Sequence, residues 1–426
     1  MDSLFEIFNI LKEVLIYIFS FIFILSIPVF LHELGHYLAA LSCGVKVEKF
    51  YIGFDFFGLG IKKKINDTEY GIGLFPLGGY VKLACIIDEN MTDDNDENTS
   101  IAPKHQFKNK NLLQKLWILS AGVIMNFILS FIILFMFGIF FGDIKPKSTP
   151  IVNRVMKEIQ IYDENWDEKT LMSPAYEVGL RPGDYMIKYE TKNEITEIAE
   201  MTDLLNKIGD KSINDEQIRI HYYRPNIEII DDSLYSYIDS STYADLANNS
   251  NAYNRTKTYT TDWFKPIKVL PTNIFGTKKV IGMGYGTEPV QLNIFEAFLK
   301  ANKDLFNIID MTAKSLFGLL SGEIPTKHLS GIIGIGKAAG DTAKSSAPIL
   351  SLVSLMAFIS ANLGFINILP IPGLDGGHAF LETLQGFYGK QFSIKTKMKI
   401  QVFGMLLIFS LFLFTIFNDI RQLIFN

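Results

Sequence analysis

His32-Glu33-Leu34-Gly35-His36 sets two imidazoles four residues apart with a carboxylate between them. On a helix, positions i and i+4 share a face, so both rings can reach one metal ion. Glu33 is then close enough to take a proton from water activated by that ion. A hydrolytic zinc site uses three protein ligands and keeps a fourth position open, so one more His, Asp or Glu must come from elsewhere. The stretch Asn367-Ile368-Leu369-Pro370-Ile371-Pro372-Gly373-Leu374-Asp375-Gly376-Gly377-His378 offers it. Asp375 is the first charged group after about thirty uncharged residues, and the two prolines before it must break a helix. His378 competes for the role. Asp375 is preferred because it lies nearest the break and beside glycines that let backbone and metal approach. The expected constellation is Zn2+ held by His32, His36 and Asp375, with Glu33 as the catalytic base. Cys43 and Cys85, the two cysteines of the chain, are too isolated for a disulfide framework and make a poor metal site.

These groups sit against sequence of lipid-spanning length. Uncharged runs cover residues 14–31, 116–142, 345–374 and 400–418. At about 1.5 Å rise per residue even the shortest approaches the hydrocarbon thickness of a bilayer. Ionisable groups there cost about 2.5–3.5 kcal/mol each at mid-bilayer, which argues for function and against a chance motif. The first run follows acidic Asp2, Glu6 and Glu13 and no cleavage site follows it, so it reads as a retained span and not a signal peptide. Lysines concentrate in the loop after span one (Lys46, Lys49, Lys62 to Lys64, Lys104, Lys108, Lys110, Lys115) and before span four (Lys390, Lys395, Lys397, Lys399). That bias puts both loops in the cytoplasm and residues 143–344 outside. With 20% charged residues and a net charge of -5, the 426-residue chain is unsuited to nucleic acid and too apolar to be wholly soluble.

Between spans one and two, residues 47–83 alternate in polarity around an Asn66-Asp67 turn and predict a small antiparallel sheet, apolar enough to dip into the membrane surface. Residues 88–97 are acidic and read as a solvated loop. In the long outer segment, a helix is expected at 201–208, a strand at 217–223 and an exposed insertion at 227–262. Apolar residues recur at helical spacing from Asn293 to Leu320, interrupted by charges, which suits a helix lying on the membrane.

The two motifs together resemble the site-2 protease family of intramembrane zinc metalloproteases, of the bacterial regulator-of-sigma-E type. Further residues that carry the resemblance are Gly44-Val45, Phe50 to Phe54, Phe75-Pro76-Leu77-Gly78-Gly79-Tyr80-Val81-Lys82, Phe107 to Lys110, Ala121-Gly122 and Asn126-Phe127. Val123 stands where the family usually has proline, and Asp55 interrupts a glycine-rich strand. The resemblance implies a polytopic α-helical membrane protein with four transmembrane helices, a membrane-associated β-sheet and an extracytoplasmic PDZ-like α+β domain, for which Gly179 to Asp184 fits the glycine run. It divides the chain into a first span (1–43), a cytoplasmic-side loop with the sheet (44–112), a second span (113–142), the PDZ-like domain with its insertion (143–290), amphipathic surface helices (291–344), a third span (345–378), a cytoplasmic loop (379–399) and a fourth span (400–426).

It also implies roles. His32, His36 and Asp375 match the zinc ligands, Glu33 the catalytic glutamate, and Asn367 an asparagine near the scissile peptide. Asn362, Gly71 and Gly73 join Asn367 as candidate substrate-binding groups, with packing between spans the lesser alternative for Asn362. The implied setting is the bacterial plasma (inner) membrane with the active site toward the cytoplasm. The implied partners are membrane lipid and single-span membrane proteins, such as anti-sigma factors or remnant signal peptides, already shortened by an upstream site-1-type protease. A metal or proton transporter would show a repeated half and more ionisable residues in its spans, and neither is present. An inactive scaffold would not keep the full constellation.

Overall fold

The computed structural model describes residues 2–55, 60–73, 75–84, 102–209, 217–232, 234–270, 279–389 and 392–425, so the acidic stretch 88–97 and Cys85 lie outside the described residues. Two compact units emerge: one of residues 1–138, 294–313 and 327–426, the other of 139–293 and 314–326.

The first unit begins with helix α1, Asp2–Ser42, which carries the metal motif well inside its length. Pro28 lies within it and removes one backbone hydrogen bond a turn before His32. Four strands follow: β1 (Val47–Phe54), β2 (Ile61–Ile65), β3 (Thr68–Ile72) and β4 (Phe75–Leu83). Their spatial order is β2-β3-β1-β4. The expected antiparallel sheet is in fact mixed, because β1 runs parallel to β3. The reason is the tight β2–β3 hairpin, which turns at Asn66 (φ 53°) and returns β3, not β2, beside β1. Asparagine tolerates that left-handed backbone. Ala39, Ala40, Val45, Val47, Leu83, Phe107, Ile118 and Leu119 close a core between α1, the sheet and helix α2, Leu112–Phe141.

The second unit holds two four-stranded sheets. One runs Ile195–Glu197, Tyr185–Glu190, Arg219–Tyr223 and Tyr259–Thr260 across its width, the other Ile230–Asp231, Tyr235–Tyr237, Val152–Met156 and Met283–Tyr285. Val152, Val155, Met186, Leu204, Ile218 and Ile220 fill its core, each fully buried aliphatic contributing about 1.5–3 kcal/mol. Helices α3 (Pro174–Glu177), capped by Ser173, α4 (Met201–Gly209) and α5 (Ser240–Asn248) pack here. The turn after α3 is locked by Asp184, whose buried carboxylate takes Arg224 Nε and a terminal guanidinium nitrogen at 2.8 Å each and the Arg181 amide at 2.8 Å. The insertion at 227–262 is not the exposed loop expected from its polarity. Tyr243 and Leu246 of α5, with Ile238 and Tyr253, bury against Ile151 in a core of their own. Its tyrosines bring large apolar rings that a count of polar residues conceals.

After α6 (Ile294–Ser321) come α7 (Ile332–Ala343), α8 (Pro348–Ile368), α9 (Asp375–Tyr388) and α10 (Ile394–Phe425). Residues 379–399 are therefore largely helical, not a loop. Glu382 of α9 accepts Lys115 of α2 at 2.8 Å and Lys397 of α10 at 3.0 Å, which ties α9 to both neighbours. Among the described residues four helices are long and apolar enough to cross a membrane: Phe5–Ser42, Leu112–Phe141, Pro348–Ile368 and Lys395–Ile424. α6 is not among them. Its exposed Ile294, Phe295, Phe298, Phe306 and Met311 share the helix with ionic groups such as Lys300 and Asp304, paired at 2.9 Å.

Candidate metal centre

α1 presents His32 and His36 on one face, ring centroids 4.8 Å apart and nearly perpendicular. The third group arrives because α8 ends at Ile368 and the Pro370–Gly373 break reorients the chain before α9 begins at Asp375. His32 Nε2 lies 3.1 Å from Asp375 Oδ2, and His36 Nε2 lies 3.2 Å from the same oxygen and 3.2 Å from His32 Nε2. Among the described residues this is the only trio of potential metal-binding side chains so gathered, and His378 does not belong to it. Donors held 2.0–2.1 Å from a tetrahedral zinc ion stand about 3.3–3.4 Å apart, close to the three separations found here. Two imidazoles and one carboxylate with an open side are also the donor chemistry of a hydrolytic zinc site. The residues fit the ion.

α2 completes the support. The Ile118 carbonyl accepts the Nδ1–H of His36 at 2.8 Å, which leaves the His36 Nε2 lone pair facing Asp375. One turn on, Gly122 gives the rings room: a β-carbon there would stand 2.7 Å from His32 Cε1 and 2.8 Å from His32 Nδ1, and nearer still to His36 Nε2. The fully buried Asn126 places its carboxamide 3.1 Å from His32 Nδ1, and its backbone carbonyl accepts the Ser360 hydroxyl of α8 at 2.8 Å. Sequence reasoning gave Gly122 and Asn126 no role. The available signal was a carboxamide inside an otherwise apolar span.

Glu33 faces β4. The Val81 amide bonds its carboxylate, and Gly79 makes the approach possible, since a β-carbon there would stand 2.9 Å from Glu33 Cγ. The other predicted groups lie differently. Asn367 is half-buried near the end of α8, and its carboxamide bonds to no other described residue. Asn362 accepts the Thr312 hydroxyl of α6, so its carboxamide is engaged between helices. Gly71 is not on an open sheet edge: β3 is interior, and Gly71 pairs with Tyr51 on one side and Lys62 on the other. The Gly73 amide is likewise used by the Ile52 carbonyl. In this sheet the outer strands are β2 and β4.

The chain is similar to known proteins over most of its length. The model of peptidase family M50 matches residues 20–411. The regulator of sigma E protease of Haemophilus influenzae is 28% identical over 95% of this chain and 98% of its own length. The regulator of sigma-E protease RseP of Escherichia coli is 26% identical over 95% and 98%. A candidate zinc metalloprotease of Campylobacter jejuni is 29% identical over 95% and 93%.

Proposed function

Because the chain belongs to peptidase family M50, we propose that it is a zinc-dependent endopeptidase of the membrane interior, using His32, His36 and Asp375 as ligands and Glu33 as base. The observation that supports these roles most is the meeting of three donor atoms from α1 and α9 at 3.1–3.2 Å with Glu33 beside them. Zinc, when bound, supplies the Lewis acidity that polarises a carbonyl and acidifies water. Glu33 takes the proton as water adds to the scissile carbonyl carbon, and passes it to the leaving amine as the C–N bond breaks. The Val81 amide and Gly79 hold that carboxylate against β4. The free carboxamide of Asn367 suits a hydrogen bond to substrate backbone or to the developing oxyanion.

A transmembrane helix hides its peptide bonds, so a substrate must unwind before it is cut. An unwound segment can add as a strand along the outer edge of β4, the edge whose Val81 amide reaches Glu33. This moves the substrate platform from Gly71 and Gly73 to β4. The substrates on this reading are single-span proteins, anti-sigma factors or remnant signal peptides, trimmed beforehand by another protease in regulated intramembrane proteolysis. The inner-membrane setting places the metal centre toward the cytoplasm, in line with the lysine bias. The second compact unit is then a PDZ-like domain outside, and it screens substrates by the bulk of their external parts.

The test is Glu33→Gln in purified full-length protein, with cleavage of a single-span reporter and zinc content measured on one sample. The amide keeps the shape of the side chain but cannot take the proton, so cleavage falls by about 10²–10⁴-fold with zinc retained. Near-normal cleavage with normal zinc overturns the assignment of the base.

A further inference from the structure

We propose that Asn126 is a positioning residue of the metal centre, its carboxamide oxygen accepting the Nδ1–H of His32 and so turning the His32 Nε2 lone pair toward the metal. The proposal rests on His32 being a ligand. Neutral imidazole carries one N–H, and the hydrogen bond made by one nitrogen decides which tautomer the other presents. For His36 the partner is the Ile118 carbonyl, which can only accept. For His32 the partner nearest Nδ1 is Asn126, 3.1 Å away and fully buried on α2.

The carboxamide lies with its nitrogen toward that ring. In that orientation the proton is left on His32 Nε2, 3.1 Å from Asp375, where a metal cannot share it. The two ends of a carboxamide have the same shape, so a half-turn exchanges them in place. The half-turn sacrifices no other bond, since Asn126 Oδ1 has no partner among the described residues. With the oxygen toward His32, the ring donates from Nδ1 and its Nε2 lone pair joins those of His36 and Asp375. The backbone of Asn126 is anchored as well. Its carbonyl takes the Ser360 hydroxyl, which fixes α2 against α8, the helix that leads into the Asp375 break. A fully buried asparagine in a span is costly unless bonded, and among the described residues the only bond its side chain makes is to His32. The two α2 acceptors, one backbone and one side chain, thus do for the two imidazoles what outer partners commonly do at zinc sites.

The experiment compares Asn126→Leu, which keeps the branched shape and loses the acceptor, with Asn126→Asp, which keeps an acceptor. Full-length protein is purified in detergent, zinc affinity is read by competition with a chromophoric chelator, and the visible spectrum is recorded after cobalt replacement. Loss of a partner of this kind typically weakens metal binding about 10–100-fold, and that is expected for Asn126→Leu, with an altered cobalt spectrum. Asn126→Asp is expected to stay near the unsubstituted protein in both. If Asn126→Leu binds zinc as tightly as the unsubstituted protein, or if both variants lose affinity equally, Asn126 serves packing alone and the proposal is overturned. His32→Ala is run beside them. Full zinc affinity in that variant would overturn the ligand assignment itself, a failure distinct from that of Asn126.

Discussion

Replacing Gly122 by alanine tests the packing of the metal helices with one added methyl group. That carbon would stand 2.7–2.8 Å from two His32 ring atoms, and nearer to His36 Nε2. Carbon contacts are optimal near 3.5–4.0 Å, so the rings must retreat by roughly 0.7–1 Å. Metal–donor distances tolerate only about 0.2 Å, so both imidazoles cannot retreat and still share the ion. Overpacking of this kind costs about 1–3 kcal/mol. If the strain falls on the metal-loaded state, zinc affinity drops about 5–150-fold at 1.4 kcal/mol per decade. Misplacement of about 1 Å costs a further factor of about 10² in turnover. The fold itself should persist, because alanine favours a helix over glycine by about 1 kcal/mol. The assay is chelator competition and single-span reporter cleavage on the full chain, with circular dichroism as a check on folding. Gly336→Ala serves as the control, since among the described residues a β-carbon there meets only Phe21, at 3.7 Å. Unchanged zinc affinity and cleavage in Gly122→Ala would refute the seating of both histidines against α2.

Other substitutions separate the remaining elements. Asp375→Ala should remove zinc and His378→Ala should keep it, as read by metal content after purification; the reverse pattern would exchange the two roles. Arg224→Ala leaves the Asp184 carboxylate buried without its bidentate partner and should cost about 3–5 kcal/mol locally, seen as faster limited proteolysis within residues 139–293 of the intact chain. Asp239, at the start of α5, is held down to about 2 from an ordinary 3.8 by hydrogen bonds from the Ser241 hydroxyl and the Thr242 amide and hydroxyl. A depressed carboxyl supports the folded state fully above its unfolded pKa, so amide protection of residues 240–248 should fall as pH drops from about 4 toward 2, and Asp239→Ala should abolish that pH dependence.

The sequence alone determined the chemistry and the membrane setting, because both are written locally. Helical spacing four residues apart puts His32 and His36 on one face whatever surrounds them. Four lipid-length apolar runs announce spanning helices, and Pro370 and Pro372 announce the break before Asp375. Only the tertiary structure decided what meets what. Whether Asp375 or His378 reaches the histidines depends on how α9 leaves the break and on Glu382, which Lys115 and Lys397 hold. That β3 is interior, so that Gly71 has no free edge, follows from a hairpin that returns beside β1, and alternation of polarity is silent on strand order. The core around Tyr243 and Leu246 hides in a segment whose average is polar. Gly122 and Asn126 are the clearest case. An absent side chain and a lone amide carry no periodic signal, and they acquire a role only when α2 packs within a few ångströms of two imidazoles some ninety residues earlier in the chain.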